Sequence, residues 1–156
     1  MTSSAPVIAR MQSRIREWEA ASDDKALFLN CYMRMTSNVF VAIQQQAFKD
    51  PAWVNRLLDH FAGYYFTALH AYECDPVSAP AVWQRAHGIT CDPEITALQK
   101  LLLGVNAHIN YDLVLTLNDL LRPEWRALSE RQRAARYADH CHVNEIISRT
   151  IDAVQD

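Results

Sequence analysis

The run Leu101-Leu-Leu-Gly-Val-Asn-Ala-His-Ile-Asn-Tyr-Asp-Leu-Val-Leu-Thr-Leu117 is an apolar helical segment with polar residues at alternating positions: Asn106, His108, Asn110 and Asp112. At about 100° per residue, Asn106 and Asn110 fall on one side with Leu103, Leu113 and Leu117, while His108 and Asp112 fall nearly opposite with Leu101, Val105 and Leu115. Burying such groups costs free energy unless each finds a partner. The pattern therefore demands either an internal polar network or a site.

A chain of 156 residues with half of them hydrophobic and only three glycines has the material for one compact domain with a real core. The net charge of -3 gives no general attraction to nucleic acid or anionic lipid. Cys31, Cys74, Cys91 and Cys141 are scattered without a C-x-x-C pair, which suits reduced thiols in a cytoplasmic protein. The opening Met-Thr-Ser-Ser-Ala-Pro passes into a charged helix, so neither a signal peptide nor a membrane span is expected.

Apolar spacing predicts helices throughout. Val7, Ile8, Met11, Ile15 and Trp18 make the first, to about residue 20. Ser22-Asp23-Asp24 caps a second that carries Leu27, Phe28, Cys31, Met35, Val39 and Ile43 to about residue 46. Asp50-Pro51 opens a third that ends at Cys74-Asp75-Pro76, and a short helix over residues 81–86, stopped by Gly88, reads as a lid or rim. Asp92-Pro93 is read as the start of a buried central helix over residues 93–121, halted by Pro123. A last helix from about Ser129 carries Tyr137, Val143, Ile146, Ile147, Ile151 and Val154. No strand pattern intervenes, so the expected fold is all-α: a single-domain bundle of about five long helices and one short one. Gly63 and Gly104, each in mid-helix, suggest that the third and central helices cross there.

The string Gly104-Val-Asn-Ala-His-Ile-Asn-Tyr-Asp-Leu113 resembles the hallmark of a bacterial family of uncharacterised function, built around an N-A-H-I-N-x-D-L helix. Val7 to Met11 resembles that family's opening. Asp50, Trp53, Phe61, Tyr65, Phe66, Ala68 and Leu69 resemble its aromatic helix, Pro80 with Trp83 its P-x-x-W step, and Tyr137 with Asn144 its closing pattern. The resemblance implies an all-α domain and a shared role for Asn106, His108, Asn110 and Asp112; it implies no reaction.

His108 and Asp112, four apart, can meet on one helical face, where a carboxylate fixes the imidazole tautomer and makes the pair usable as an acid or base near neutral pH. A His and a carboxylate at this spacing can also share an ion with ligands from facing helices. The candidates are His60, His70 with Glu73, and Asp139 with His142 and Glu145. The paired E-x-x-H pattern of di-iron bundles is missing, and His60 and His70 stand about 15 Å apart along a helix, so no metal ligand is assigned. His87, His140 and His142 read as solvent-facing. Arg122, Arg126, Arg131, Arg133 and Arg136, interspersed with Glu124, Glu130 and Asp139, read as a solvated face. Tyr65, Trp53, Tyr111 and Trp83 are the aromatic residues expected to bind a substrate if a pocket exists.

The leading expectation is a small enzyme without an organic cofactor. His108, oriented by Asp112 and helped by Asn106 or Asn110 as hydrogen-bond donors, would act on a small, largely apolar molecule by cyclisation, elimination, isomerisation or hydrolysis, as in a biosynthetic step. The rival from another class is a noncatalytic helical module, as a homodimer, whose polar quartet is an internal network. A third reading is a metal-dependent hydrolase or oxidase using His108 and Asp112.

Overall fold

In a computed structural model, the structure describes residues 5–155, with side-chain surroundings over 6–150. The segment before residue 5 and the side chains of Ile151 and Val154 lie outside the described residues. The elements are α1 (Ala5–Ala20), α2 (Lys25–Gln44), α3 (Pro51–Cys74), a 3-10 turn (Pro76–Ser78), α4 (Ala81–Gly88), α5 (Ala97–Ala107), a π-helical turn (His108–Asp112), α6 (Leu113–Glu124) and α7 (Glu130–Gln155). As α5, the π turn and α6 form one unbroken rod, the described residues make an all-α domain of six helices and a 3-10 turn, without strands.

Two helices occupy the centre. The α3 helix starts as its cap dictates: the Asp50 carboxylate accepts from Trp53 N–H at 2.9 Å, and Pro51 follows in the first turn. It buries Trp53, Val54, Leu57, Leu58, Phe61, Ala62, Tyr65, Phe66, Ala68 and Leu69, a stripe at three- and four-residue spacing wide enough to meet neighbours on two sides. The α2 helix packs on α1, α3, α5 and α7. One 18-residue stretch of α2 has mean hydropathy 1.2, long and apolar enough by composition to cross a membrane, where the sequence reading expects no span; 44% of that stretch is buried within the domain.

The α5–α6 rod differs from the expected central helix. It begins at Ala97, because Thr96 and Gln99 form a reciprocal capping box that takes precedence over Asp92-Pro93, which instead sits in a turn. It continues through Pro123 in its last turn, where the missing N–H interrupts little. Only one face of it is covered: Leu98, Leu102 and Val114 are more than half exposed on the other. Gly104 permits the close approach expected of it, but to α2; a Cβ there would stand 2.7 Å from the Phe28 ring. Gly63 has open space beside it, so the crossing predicted between the two glycines does not occur.

The α7 helix is fastened by charge. The buried Asp139 carboxylate accepts from the backbone N–H groups of Lys49 and Asp50 at 2.8 Å each, just ahead of α3. Arg136, read from sequence as part of a solvated face, is instead buried. It donates to Asp50 at 2.7 Å and Glu124 at 2.9 Å while covering the Trp53 ring. This clamp joins α7 to the start of α3 and the end of α6.

Candidate functional site

The site begins with a backbone irregularity. Leu113 N–H bonds to the carbonyl of His108, five residues back, so the rod widens by one residue over His108–Asp112. Such π turns are uncommon and occur often at functional positions. His108 and Asp112 both point inward from it, 3% and 0% exposed.

Asp112 is held by donors. His108 Nδ1 lies 2.8 Å from its Oδ2, and the Trp83 indole Nε1–H donates to both oxygens at 3.1 Å. A carboxylate only accepts, so His108 Nδ1 carries the proton and donates. Burial pushes the His108 pKa below its ordinary value, against a smaller opposing pull from the Asp112 carboxylate. The imidazole is therefore neutral at pH 7, with its lone pair on Nε2.

Around the imidazole is an aromatic box. The Phe61 ring stacks on it with centroids 3.6 Å apart and planes 8° from parallel, Tyr32 meets it edge-on at 4.2 Å, and Phe28 does so at 5.5 Å. Against one side lies a cavity of about 50 Å³, bounded by α2, α3, the π turn and α7. Its walls are mostly apolar, including Val39, Leu57, Leu58, Phe61, Val143 and Ile147, and it reaches exposed residues at Ile109 and Asn144.

Four of its lining residues carry a buried polar atom with no hydrogen-bond partner: His108 Nε2, the Tyr32 hydroxyl, Thr36 Oγ1 and His140 Nδ1. The hydroxyls of Tyr32 and Thr36, one turn apart on α2, adjoin without reaching hydrogen-bond geometry. His140 Nε2 accepts from the Asn144 amide at 3.4 Å, which leaves its Nδ1–H as a donor. Burial raises the Tyr32 pKa well above its ordinary value and lowers that of His140, so both groups are uncharged at neutral pH. Orphaned buried polar atoms are uncommon in native folds; among the described residues four others, at Trp53, Tyr65, His87 and Thr116, lie outside this cavity's lining, whereas these four share one small cavity.

The expected site residues separate. Asn106 and Asn110 bond to each other at 2.7 Å on the exposed side of the rod, away from the cavity. Trp83 belongs to the site through Asp112; the helix that carries it, read as a lid or rim, is an inner wall with Trp83, Ala86 and His87 buried. Tyr65 is fully buried 6.0 Å from the His108 ring but does not line the cavity. Trp53 packs in the apolar core with Phe48, Val54 and Ile43 under Arg136, and Tyr111 is half-buried outside the cavity lining. His87 is not a surface residue: it stacks on Trp83 at 5.0 Å, and burial pushes its pKa down to about 4.

Among the described residues no three His, Cys, Asp or Glu side chains converge as an ion would require. The residues weighed as ligands have other partners: Glu73 pairs with Arg14, His142 with Glu145, and Asp139 with backbone N–H groups.

Sequence reasoning missed Tyr32 and Thr36 and misplaced His140. The available signal on α2 was faint: two polar groups four apart, Tyr32 and Thr36, on a face otherwise supplied by Phe28, Leu29 and Val39.

A family model matches residues 5–156. The chain belongs to the family of unknown function DUF5995. No curated protein and no solved structure matches it significantly. Membership in DUF5995 thus leaves the activity to be argued from the site.

Proposed function

We propose that the protein is a small enzyme in which His108 does acid/base work on a small, largely apolar molecule, with Asp112 holding the imidazole from behind. The observation that supports this reading is His108 Nε2, a basic atom that is buried, unpartnered and on the wall of a cavity. When Nε2 takes a proton, the imidazolium forms next to the Asp112 carboxylate, which offsets the burial penalty that keeps the resting ring neutral. Trp83 keeps the carboxylate in place, so the pair acts without reorganising at the moment of transfer. Isomerisation, elimination, cyclisation and hydrolysis all suit such a group.

A noncatalytic helical module is the second reading. It is favoured by Asp112 tying the π turn to α4 through Trp83, which is what a structural network does. It gives no reason for four unpartnered polar atoms, which leucine, phenylalanine or valine would have spared the fold at little loss. The test is a panel of small neutral esters, hydroxycarbonyls, ketones and enones followed by NMR. The wild-type protein converts at least one, and folded His108→Ala does so at least about 100-fold more slowly. Equal rates in the two proteins overturn the assignment.

A further inference from the structure

Resting on that acid/base reading, we infer that the cavity takes a neutral carbonyl compound, with Tyr32 and His140 donating to its oxygen and His108 Nε2 facing the adjacent C–H. The lining includes no Asp, Glu, Lys or Arg. An anion placed there would have no compensating cation in apolar surroundings, and a cation would meet two N–H or O–H donors, so a neutral molecule is the occupant the walls permit.

The polar atoms narrow the class further. Two of them are donors, the Tyr32 O–H and His140 Nδ1–H, and one is a lone-pair base, His108 Nε2; the Thr36 hydroxyl can serve either way. A carbonyl oxygen accepts two hydrogen bonds, and the carbon next to it carries the proton that a base can remove. A simple alcohol occupies the base and one donor but leaves the second donor bare. The volume of about 50 Å³ accommodates only the reactive end of such a molecule, since one water needs roughly 10–15 Å³ of such space. The rest extends toward the exposed rim at Ile109 and Asn144.

In the step this supports, the C–H bond breaks, the proton forms an N–H bond at His108 Nε2, and the electron pair moves onto the carbonyl oxygen to give an enolate. Tyr32 and His140 hold that developing negative charge by hydrogen bonds, as a pair of oxyanion donors does. Return of that proton to a conjugated carbon completes an isomerisation; where the Nε2 proton first swaps with solvent reaching the cavity from the Ile109 and Asn144 rim, return to the same carbon completes an exchange, and either restores the neutral imidazole. No oxidant or second reactant is involved. Tyr32 and His140 become substrate-contacting residues, and Asp112 and Trp83 positioning residues.

The experiment adds cyclohexanone, phenol or benzoate separately to isotopically labelled protein in D2O, following the resonances of Tyr32, Thr36, His108 and His140 and deuterium incorporation beside the ketone. Cyclohexanone is expected to shift all four residues and to exchange its α protons at least about 100-fold faster than with His108→Gln. Tyr32→Phe is expected to retain cyclohexanone in the cavity while slowing exchange by about 10²-fold. Binding of phenol or benzoate with exclusion of cyclohexanone overturns the carbonyl assignment but leaves the acid/base reading standing if the binding shifts His108. Cyclohexanone bound without accelerated exchange overturns the enolate step. No shift of His108 with any of the three overturns both, and that result needs no variant to fold.

Discussion

The protein has two buried polar clusters along α3, one at its start and one against its middle, and they are built on different principles. In the clamp, every charged group has its partner: Arg136 reaches Asp50 and Glu124, Asp50 caps α3, and Asp139 takes two backbone N–H groups. At the π turn, Asp112 is equally well supplied, yet the atoms on the cavity side of the same cluster have nothing to bond. The clamp leaves one such atom, Trp53 Nε1 beneath Arg136, whereas the cavity wall gathers four. The satisfied half of the π-turn cluster does the work of the clamp, and in the function proposed the unsatisfied half is the part that meets the substrate.

The sharpest way to break this comparison is to remove one carboxylate from each cluster. Asp112→Ala strands the buried N–H groups of His108 and Trp83, and Asp139→Ala strands the part-buried backbone N–H groups of Lys49 and Asp50, so each is expected to lose about 2–5 kcal/mol of stability by urea unfolding. If either costs less than 1 kcal/mol, that cluster is not structural in the sense described.

Acid comes next in size. Burial lowers the pKa values of both His87 and His108, so the unfolded chain binds more protons than the folded one below pH 6.5. Stability is therefore fully present above that pH and falls as pH drops, through about 4 for His87. Burial alone would raise the Asp50 pKa, but the Trp53 N–H and Arg136 outweigh it and hold the carboxyl below its ordinary value. The clamp's contribution is accordingly lost at still lower pH. Unfolding midpoints measured from pH 8 to pH 2 check the sequence of losses: His87→Phe should flatten the curve between pH 6.5 and about 4 and leave the acid end below that, where Asp50 titrates, unchanged.

The smallest effect is the most discriminating. Thr36→Val and Tyr32→Phe delete polar atoms that have no partner, so each is expected to leave stability unchanged or to raise it by up to about 1 kcal/mol. Both should weaken ligand binding without abolishing it. A loss above 1 kcal/mol from either would mean that its hydroxyl is bonded within the fold.

Much of this architecture was legible beforehand. Asp50-Pro51 opened α3 where it was expected to, the short helix after Pro80 formed, and the arithmetic of 100° per residue put Asn106 and Asn110 on the side opposite His108 and Asp112. Which side faced inward was not legible, because both carried leucines. The start of α5 was misplaced because two capping signals compete within a few residues, and Thr96 with Gln99 offers reciprocal bonds where Asp92-Pro93 offers one. The cavity was invisible for a different reason. Its polar atoms come from α2, the π turn and α7, residues 32 to 140, and only tertiary packing brings them to one wall.

The central claim is that His108 rests as a neutral base with its lone pair in the cavity. Nitrogen NMR of the histidine side chains at pH 7 tests it directly. The account predicts a proton on Nδ1, donated to Asp112, and a bare Nε2 whose signal moves when a ligand enters. A proton on Nε2 at pH 7, in either the other tautomer or the imidazolium, would contradict it.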